Sequence, residues 1–332
     1  MKLGRRTALK AGVGILVAPA IVRAEGATKL PLSTVWPDSN FHVVNCRRFA
    51  DEVKKATGGA IDIDVKSGGQ LGFKGPECLR AVRDGLVPIA DYLTTQQIGD
   101  EPFMGIEALP FLAGSREELQ ILHKHIRPEF EKIATKNNQK ILYVVPWPNQ
   151  YLHLKVKADS VDALKGIKIR TADKGALDIW ASAGMSPVVI PWGELLPALS
   201  SGAVSGVSTS AVSGVDGKFW EFLKFFHATN QQWSSDIVAI NNDTWKKIKP
   251  EHQTAIVAVA SKLEPEFWES AFAADKDCAK KMVDGGMQLV KPTDQMMADL
   301  RKRSQHLLAD FMKRVPSSQG PIKAFLAEVK RA

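Results

Sequence analysis

An α/β fold, built on one mostly parallel sheet or on two of them, is what this chain predicts, and three observations carry that expectation. Short β-type runs alternate with helical periodicities along the chain. Its 332 residues are 45% apolar and 24% charged, the proportions of a globular protein with room for one large or two medium domains. Two prolines bracket a tryptophan in Pro146-Trp147-Pro148-Asn149-Gln150, between two β-type runs. That segment reads as a crossover between domains, and the first domain boundary is placed there.

The first residues read as a targeting segment. MKLGRRTALK is basic, AGVGILVAPAIV is apolar, and Val22-Arg23-Ala24 has the form of a cleavage site. The apolar run is too short to span a bilayer. Arg5-Arg6 followed by Leu9-Lys10 resembles a twin-arginine export signal, with an ordinary secretory signal as the alternative. Removing this segment takes away five basic residues and no acid, so the formal charge falls from +8 to +3. The basic balance therefore does not argue for nucleic acid, and no basic run is interleaved with aromatics. Cys46, Cys78 and Cys278 form no CxxC. A Cys46–Cys78 bridge and three buried free thiols are both open, the free thiols being expected.

Lys29–Trp36 is a first strand. A helix follows, capped by Asp38 or Ser39, with Cys46, Phe49, Ala50 and Val53 on one face. Ile61-Asp62-Ile63-Asp64-Val65-Lys66 alternates and is a half-exposed strand. Gly68-Gly69-Gln70-Leu71-Gly72 is a loop that lacks the ending of a phosphate cradle. Pro76 opens a helix that Gly85 stops, and Val87–Leu93 is a strand. Ser115-Arg116-Glu117-Glu118 is a capping box opening a helix to about Thr135. Lys140–Val145 and Tyr151–Val156 are strands on either side of the proline segment. Val161–Pro191 then reads as a helical turn, the strand Ile167–Arg170, the helix Lys174–Gly184 and the strand Pro187–Ile190. A helix begins at Pro191-Trp192, and Val204–Ser210 is a strand. Phe219–Phe226 is expected to be helical and Gln231–Asn241 extended, returning the chain to the first domain. Pro250–Gly285 is a long helix with a bend or restart at Pro265. Met287–Pro292 is a short strand, and amphipathic helix follows. There is no internal repeat and no low-complexity tract.

No catalytic constellation is visible: GxSxG, HExxH and the Walker A loop are absent. His123 and His125 lie two apart on a helix and point to different faces, which argues against metal binding. What remains is a set of binding-type residues at strand ends, namely Trp36, Thr94, Gln150, Arg170, Trp192 and Thr209. Ligands of open α/β sheets bind outside the carboxyl ends of the strands, where the fork of a guanidinium suits a carboxylate. Each residue alone also has a bland reading as a surface arginine, core tryptophan or helix cap.

The order and spacing of FADEVKKATGGAIDIDV with GGQLG, LRAVRDGLVPIADY, ALPFL, DALKGIKIRTA, GMSPVVIPWGELLPALSSGAVSG and NNDTWKKIKPEHQ resemble the substrate-binding subunit of a tripartite ATP-independent periplasmic (TRAP) transporter. The resemblance covers nearly all of the mature chain. It implies a two-domain flytrap with mixed sheets, crossing strands and a long helix spanning both domains. The implied division is 1–24 signal peptide, 25–147 with about 236–275 as domain I, and 148–235 with about 276–332 as domain II. By the same resemblance Arg170 matches the carboxylate-binding arginine and Trp192 an aromatic that packs on the ligand. Trp36, Thr94, Gln150 and Thr209 lie at or beside further contacts.

The departures from sialic-acid-binding members matter. Those members carry a second arginine where this chain has Gln150, a glutamate near Leu93, and an Asn-Pro segment where this chain has Val204–Ser210. A smaller or more apolar acid is therefore expected. Some keto-acid-binding members bridge the carboxylate with a metal ion. Gln150 suits that role, but Ser208-Thr209 are not the tryptophan and glutamate expected beside it, so no metal and no cofactor is assigned. The expected protein is a periplasmic, monomeric receptor, not an enzyme. It captures a monocarboxylate, aromatic or of the 2-oxo or 2-hydroxy type, for the membrane subunits of a TRAP permease. A binding protein of an ATP-driven importer, a sensor subunit and a periplasmic enzyme are the alternatives.

Overall fold

The computed structural model describes residues 26–331, so the expected signal peptide at 1–24 lies outside the described residues. The first run of elements is β1 (Thr28–Ser33), α1 (Phe41–Ala56), β2 (Ile61–Lys66), α2 (Cys78–Arg83), β3 (Ile89–Leu93), α3 (Arg116–Lys136) and β4 (Gln139–Pro146). The second is β5 (Gln150–Leu154), β6 (Lys168–Thr171), α4 (Lys174–Ser182), β7 (Ser186–Val189), α5 (Trp192–Ser200), β8 (Gly206–Ser210), α6 (Ala211–Asp216) and β9 (Phe225–His227). Then come β10 (Ser235–Asn241), α7 (Asn242–Lys247), α8 (Pro250–Asp284), β11 (Gln288–Val290), α9 (Asp294–Ser304), α10 (His306–Arg314) and α11 (Gln319–Glu328).

These strands form two mixed sheets, ordered β2-β1-β3-β10-β4 and β11-β9-β5-β8-β6-β7. In the first, β10 runs antiparallel to β3 and β4; in the second, β5 runs antiparallel to β8 and β9. The chain crosses between the sheets after β4 and again after β9, where Trp147 N–H donates to Ser234 O at 2.8 Å and Asn230 N–H to Gln150 O at 2.8 Å. The 35-residue α8 is about 52 Å long at 1.5 Å per residue. It packs on α1 and β4 of the first unit and on α6 and β11 of the second.

Local chemistry explains most boundaries and several departures. Helix α1 is capped by Asn40, whose Oδ1 accepts from His42 N–H at 2.9 Å, not by Asp38 or Ser39. A turn from Asn40 N–H to Pro37 O (2.9 Å) delays the helix, and Ser39 is spent on Asp216 across the cleft. Pro265 does not restart the helix: α8 runs unbroken from Pro250 to Asp284. Pro265 and Ser261 lie on the exposed face, where water can serve the carbonyl that proline leaves free. Phe219–Phe226 is not a helix but a single tight turn and then β9. Lys218 at φ 45° breaks the helical path after α6, an element the sequence did not suggest. Phe226 is buried beside His153 at a ring distance of 6.1 Å, which β9 secures by pairing with β5. In the loop after β2, Gly68 and Gly69 adopt φ 62° and 72°, a region open to glycine. Their N–H groups donate to Trp36 O and Thr34 O, which holds the segment carrying Trp36.

Each sheet is covered on both faces by an apolar cluster. The last helices divide between them. Met296 and Leu300 of α9 pack in the second unit, whereas Phe311, Ile322 and Phe325 of α10 and α11 pack in the first, with α11 against α3. A second-domain span of about 276–332 therefore does not match the packing beyond α9, because the apolar stripe of residues 306–328 finds its partner on α3. All three cysteines are free, with Cys46 and Cys78 buried.

Candidate functional site

A cavity lies between the two units, where the chain crossings and the carboxyl ends of β3, β6 and β8 converge. Strand β6 brings Arg170 to it, and Ala172 and Asp173 follow at the entry to α4. Strand β8 brings Ser208 and Thr209, and α6 brings Ser213. The first unit supplies Trp36 and Leu93, and the two crossings supply Trp147, Gln150, Gln232 and Ser234. Trp192 closes the rim at the start of α5. The space is tight: about 20 Å³ is open to the centre of a water-sized sphere, little more than one water needs.

Arg170 is 1% exposed, and its Nε donates to Ile190 O at 2.8 Å. No carboxylate lies within ion-pair distance of it among the described residues. Burial pushes the guanidinium down to about 10, with Asp173 opposing that shift. Asp173 is itself buried. Its Oδ1 caps α4 by accepting Ala176 N–H at 2.9 Å, and its Oδ2 accepts Thr95 Oγ1 at 2.9 Å and Gln232 Nε2 at 3.3 Å. Burial raises its carboxyl pKa, and these donors oppose the rise. The Oε1 of Gln232 is buried with no hydrogen-bond partner, on a side chain that lines the cavity.

The wall opposite is aromatic. Trp36 meets Trp147 edge-on at 4.8 Å and Trp192 at 6.2 Å. Further contacts bridge the units around the cavity: Gln96 Nε2 to Ala172 O at 3.2 Å, Asn40 Nδ2 and Ser39 Oγ to Asp216 at 2.7 and 2.9 Å, and Lys74 Nζ to Glu194 at 2.8 Å. With the Thr95–Asp173 bond they hold the cleft shut.

Five of the six residues singled out from the sequence (Trp36, Gln150, Arg170, Trp192 and Thr209) meet at this cavity. Thr94 does not. Side chains alternate along the end of β3, so Leu93 faces the cavity while Thr94 turns away and donates to Glu107 at 3.2 Å. Of the lining residues outside those six, Asp173, Trp147 and Gln232 carry the most polar or aromatic chemistry. Asp173 carried a signal, since an aspartate just before a helix is a cap. Trp147 was visible only as part of a crossover. Nothing local marked Gln232, which reaches the cavity because its crossing runs beside the β4–β5 crossing.

One buried cluster has the residue types of a hydrolase. Ser235, His123 and Glu107 lie together, with Ser235 Oγ to Glu107 Oε1 at 2.7 Å. Both partners, however, meet the same ring nitrogen of His123, at 2.9 and 3.3 Å. A proton relay needs them on opposite nitrogens, so this cluster ties β10 to α3 and does no chemistry.

Residues 32–314 match the model of the family described as bacterial extracellular solute-binding protein, family 7. The chain is similar in structure to DctP7, a Bordetella pertussis extracytoplasmic solute receptor binding pyroglutamic acid, with TM-score 0.87 and 28% identity over 90% of this chain and 99% of that one. It is also similar to a marine metagenome TRAP solute-binding protein specific for pyroglutamate, with TM-score 0.86 and 26% identity over 90% and 99% of the two chains. An uncharacterised protein of Sinorhizobium fredii is 29% identical over 246 residues, 70% of this chain; that match spans 44% of the longer relative.

Proposed function

The chain belongs to family 7 of the bacterial extracellular solute-binding proteins, and from that premise we propose that it is the receptor for a compact monocarboxylate bearing an N–H or O–H donor, pyroglutamate first among them. Like its family, it is a solute receptor that works with TRAP permease subunits, and it is not an enzyme. No helix among the described residues is long and apolar enough to cross a membrane.

The observation that carries the reading is the buried Arg170 fork with no carboxylate paired to it. A guanidinium held out of water is costly unless a partner arrives, and a ligand carboxylate fits its fork in a bidentate pair. A single fork, with Asp173 close by, favours one carboxylate over two. The unpartnered Gln232 Oε1 suits a lactam N–H or a hydroxyl. Three tryptophans offer flat apolar walls to a small ring. The two pyroglutamate receptors similar to this chain support the same choice.

The binding residues in this reading are Arg170, Gln150, Trp192, Thr209 and Trp36, joined by Asp173, Gln232 and Trp147. Domain I comprises 26–147, about 236–275 and 306–328. Domain II comprises 148–235 and about 276–304, and the receptor is a monomer after export by a cleaved signal. Isothermal titration of the purified protein with pyroglutamate, lactate, malate and galactonate tests it. Pyroglutamate is expected to bind tightest; tight malate or galactonate binding without pyroglutamate binding would sink the proposal.

A further inference from the structure

Behind the tryptophan wall, on the side away from the cavity, three buried polar side chains from three elements face one another. His42 on α1, Asp91 on β3 and Asp236 on β10 each bring one atom within 4.8 Å of the other two, and all are at most 2% exposed. Asp236 accepts the indole N–H of Trp36 at 2.5 Å on one oxygen and that of Trp147 at 2.8 Å on the other. Asp91 accepts Thr34 Oγ1 at 2.8 Å, while its second oxygen and His42 Nε2 have no partner. Leu93, two residues beyond Asp91 and paired with Asp236 in the ladder, lines the cavity. The carboxylates thus sit one layer beneath the ligand wall, and Asp236 holds two of its rings.

Two carboxylates so close and so dry cannot both be charged without a counter-charge. The groups that face them are His42 and Cys46 of α1, Cys78 of α2, Tyr143 of β4 and Glu107 of the turn before α3. None supplies a positive charge. Burial keeps the His42 imidazole well below its ordinary range and so neutral, and neither carboxylate has a lysine or arginine at ion-pair distance among the described residues. A proton is the counter-charge that remains, in keeping with the upward displacement of both acids, Asp236 to about 7, with burial as the main cause.

We propose that Asp91 and Asp236 share one proton and act as positioning residues for the acid cavity: the pair fixes the rings of Trp36 and Trp147, and its proton count is linked to ligand affinity. The inference deepens the carboxylate-receptor reading and rests on it. With the proton on Asp91, that acid donates to Asp236, whose two oxygens remain free to accept the two indoles. Loss of the proton leaves two negative charges behind the wall that an anionic ligand approaches. Affinity for the acid therefore falls as pH rises through the range, well above that of an ordinary carboxylate, to which burial and the neighbouring Asp236 lift Asp91. The two amide variants then differ. In Asp91→Asn the amide N–H stands in for the shared proton and does not titrate, so binding persists and its pH profile flattens. In Asp236→Asn one oxygen faces two indole donors, one tryptophan loses its partner, and binding weakens at every pH.

The test uses full-length mature protein with ¹⁵N-labelled tryptophan. The indole resonances of Trp36 and Trp147, assigned by Trp→Phe variants, are followed from pH 5 to pH 9 without ligand, and pyroglutamate affinity is measured by calorimetry over the same range. The expected result is a common midpoint well above the ordinary carboxylate range, where burial and Asp236 place Asp91, in the wild type that is absent from D91N, with D91N retaining affinity and D236N losing it. Indole resonances that ignore pH in the wild type overturn the proposal, as does a D91N variant with the wild-type pH profile. A stoichiometric metal ion whose chelation, rather than pH, moves the resonances overturns it too. Failure of pyroglutamate to bind the wild type at any pH refutes the choice of ligand instead, and the ligand-free titration still decides the pair.

Discussion

Replacing Arg170 with methionine separates a binding arginine from a structural one. Burial holds its guanidinium at about 10 against an ordinary 12.5. At about 1.36 kcal/mol per pK unit, the ligand-free site keeps this charge at a cost of about 3 kcal/mol. Methionine fills similar volume without the charge and forfeits one hydrogen bond, Nε to Ile190 O, worth about 1 kcal/mol. The ligand-free variant is therefore expected to be more stable than the wild type by about 1–2 kcal/mol, a rise of a few degrees in Tm. Binding moves the other way. Removing one partner of a buried pair costs about 3–5 kcal/mol, or roughly two to nearly four orders of magnitude in Kd. Scanning calorimetry without ligand and titration with pyroglutamate read the two effects on one preparation. Affinity within tenfold of wild type, or a ligand-free variant that loses 2 kcal/mol or more, would refute the reasoning.

Three further outcomes follow from the same geometry. Asp173→Ala removes the cap of α4 and the Thr95 and Gln232 bonds. It should lower stability by about 1–2 kcal/mol and weaken binding, as urea unfolding and calorimetry will show; unchanged stability counts against the cap. Asp216→Ala cuts the Asn40 and Ser39 latch, so ligand-free scattering should report a more open molecule and affinity should drop several-fold, whereas an unchanged radius of gyration contradicts the latch. His153 is buried with its pKa pushed down to about 3, chiefly by burial, against an unfolded value near 6.5. The unfolded chain then takes up a proton that the native state refuses. The stability tied to this group is whole above pH 6.5 and is lost as pH falls toward 3. His153→Gln should thus gain on the wild type by about 2 kcal/mol between pH 7 and pH 5, and parallel pH profiles in urea would exclude this account.

Periodicity made much of the fold legible. The alternation Ile61-Asp62-Ile63-Asp64 has one determinant, an edge strand with one side open to water, and β2 shows it in its position and burial pattern. Locally Arg170 was legible only as an arginine at a strand end before a helix; its reading as a carboxylate clamp came from the resemblance of the KGIKIR segment. The aromatic run at 219–226 misled because its residues satisfy tertiary packing beside His153, which no local period encodes. Thr94 misled by one step of strand alternation, the least forgiving unit of sheet geometry. Gln232 and Asp236 were illegible for a third reason. Their roles arise where two crossings and β3 run side by side, and side-by-side placement of distant segments leaves no local trace.

The return of α10 and α11 to the first unit bears on the order in which the molecule can be completed. Lys124 of α3 meets Glu328 of α11 at 3.2 Å across 204 positions of chain, and Phe311, Ile322 and Phe325 fill the same apolar cluster. The first unit begins the described sequence, yet its core stays open on the α3 side until the second unit has been synthesised. Contacts so distant form late because the intervening loop must close first. A product that stops after α9 carries a nearly complete second unit and a first unit with a bare apolar face, a form suited to chaperone capture or proteolysis. The segment farthest from the cavity in sequence thus decides when the binding site has two rigid walls.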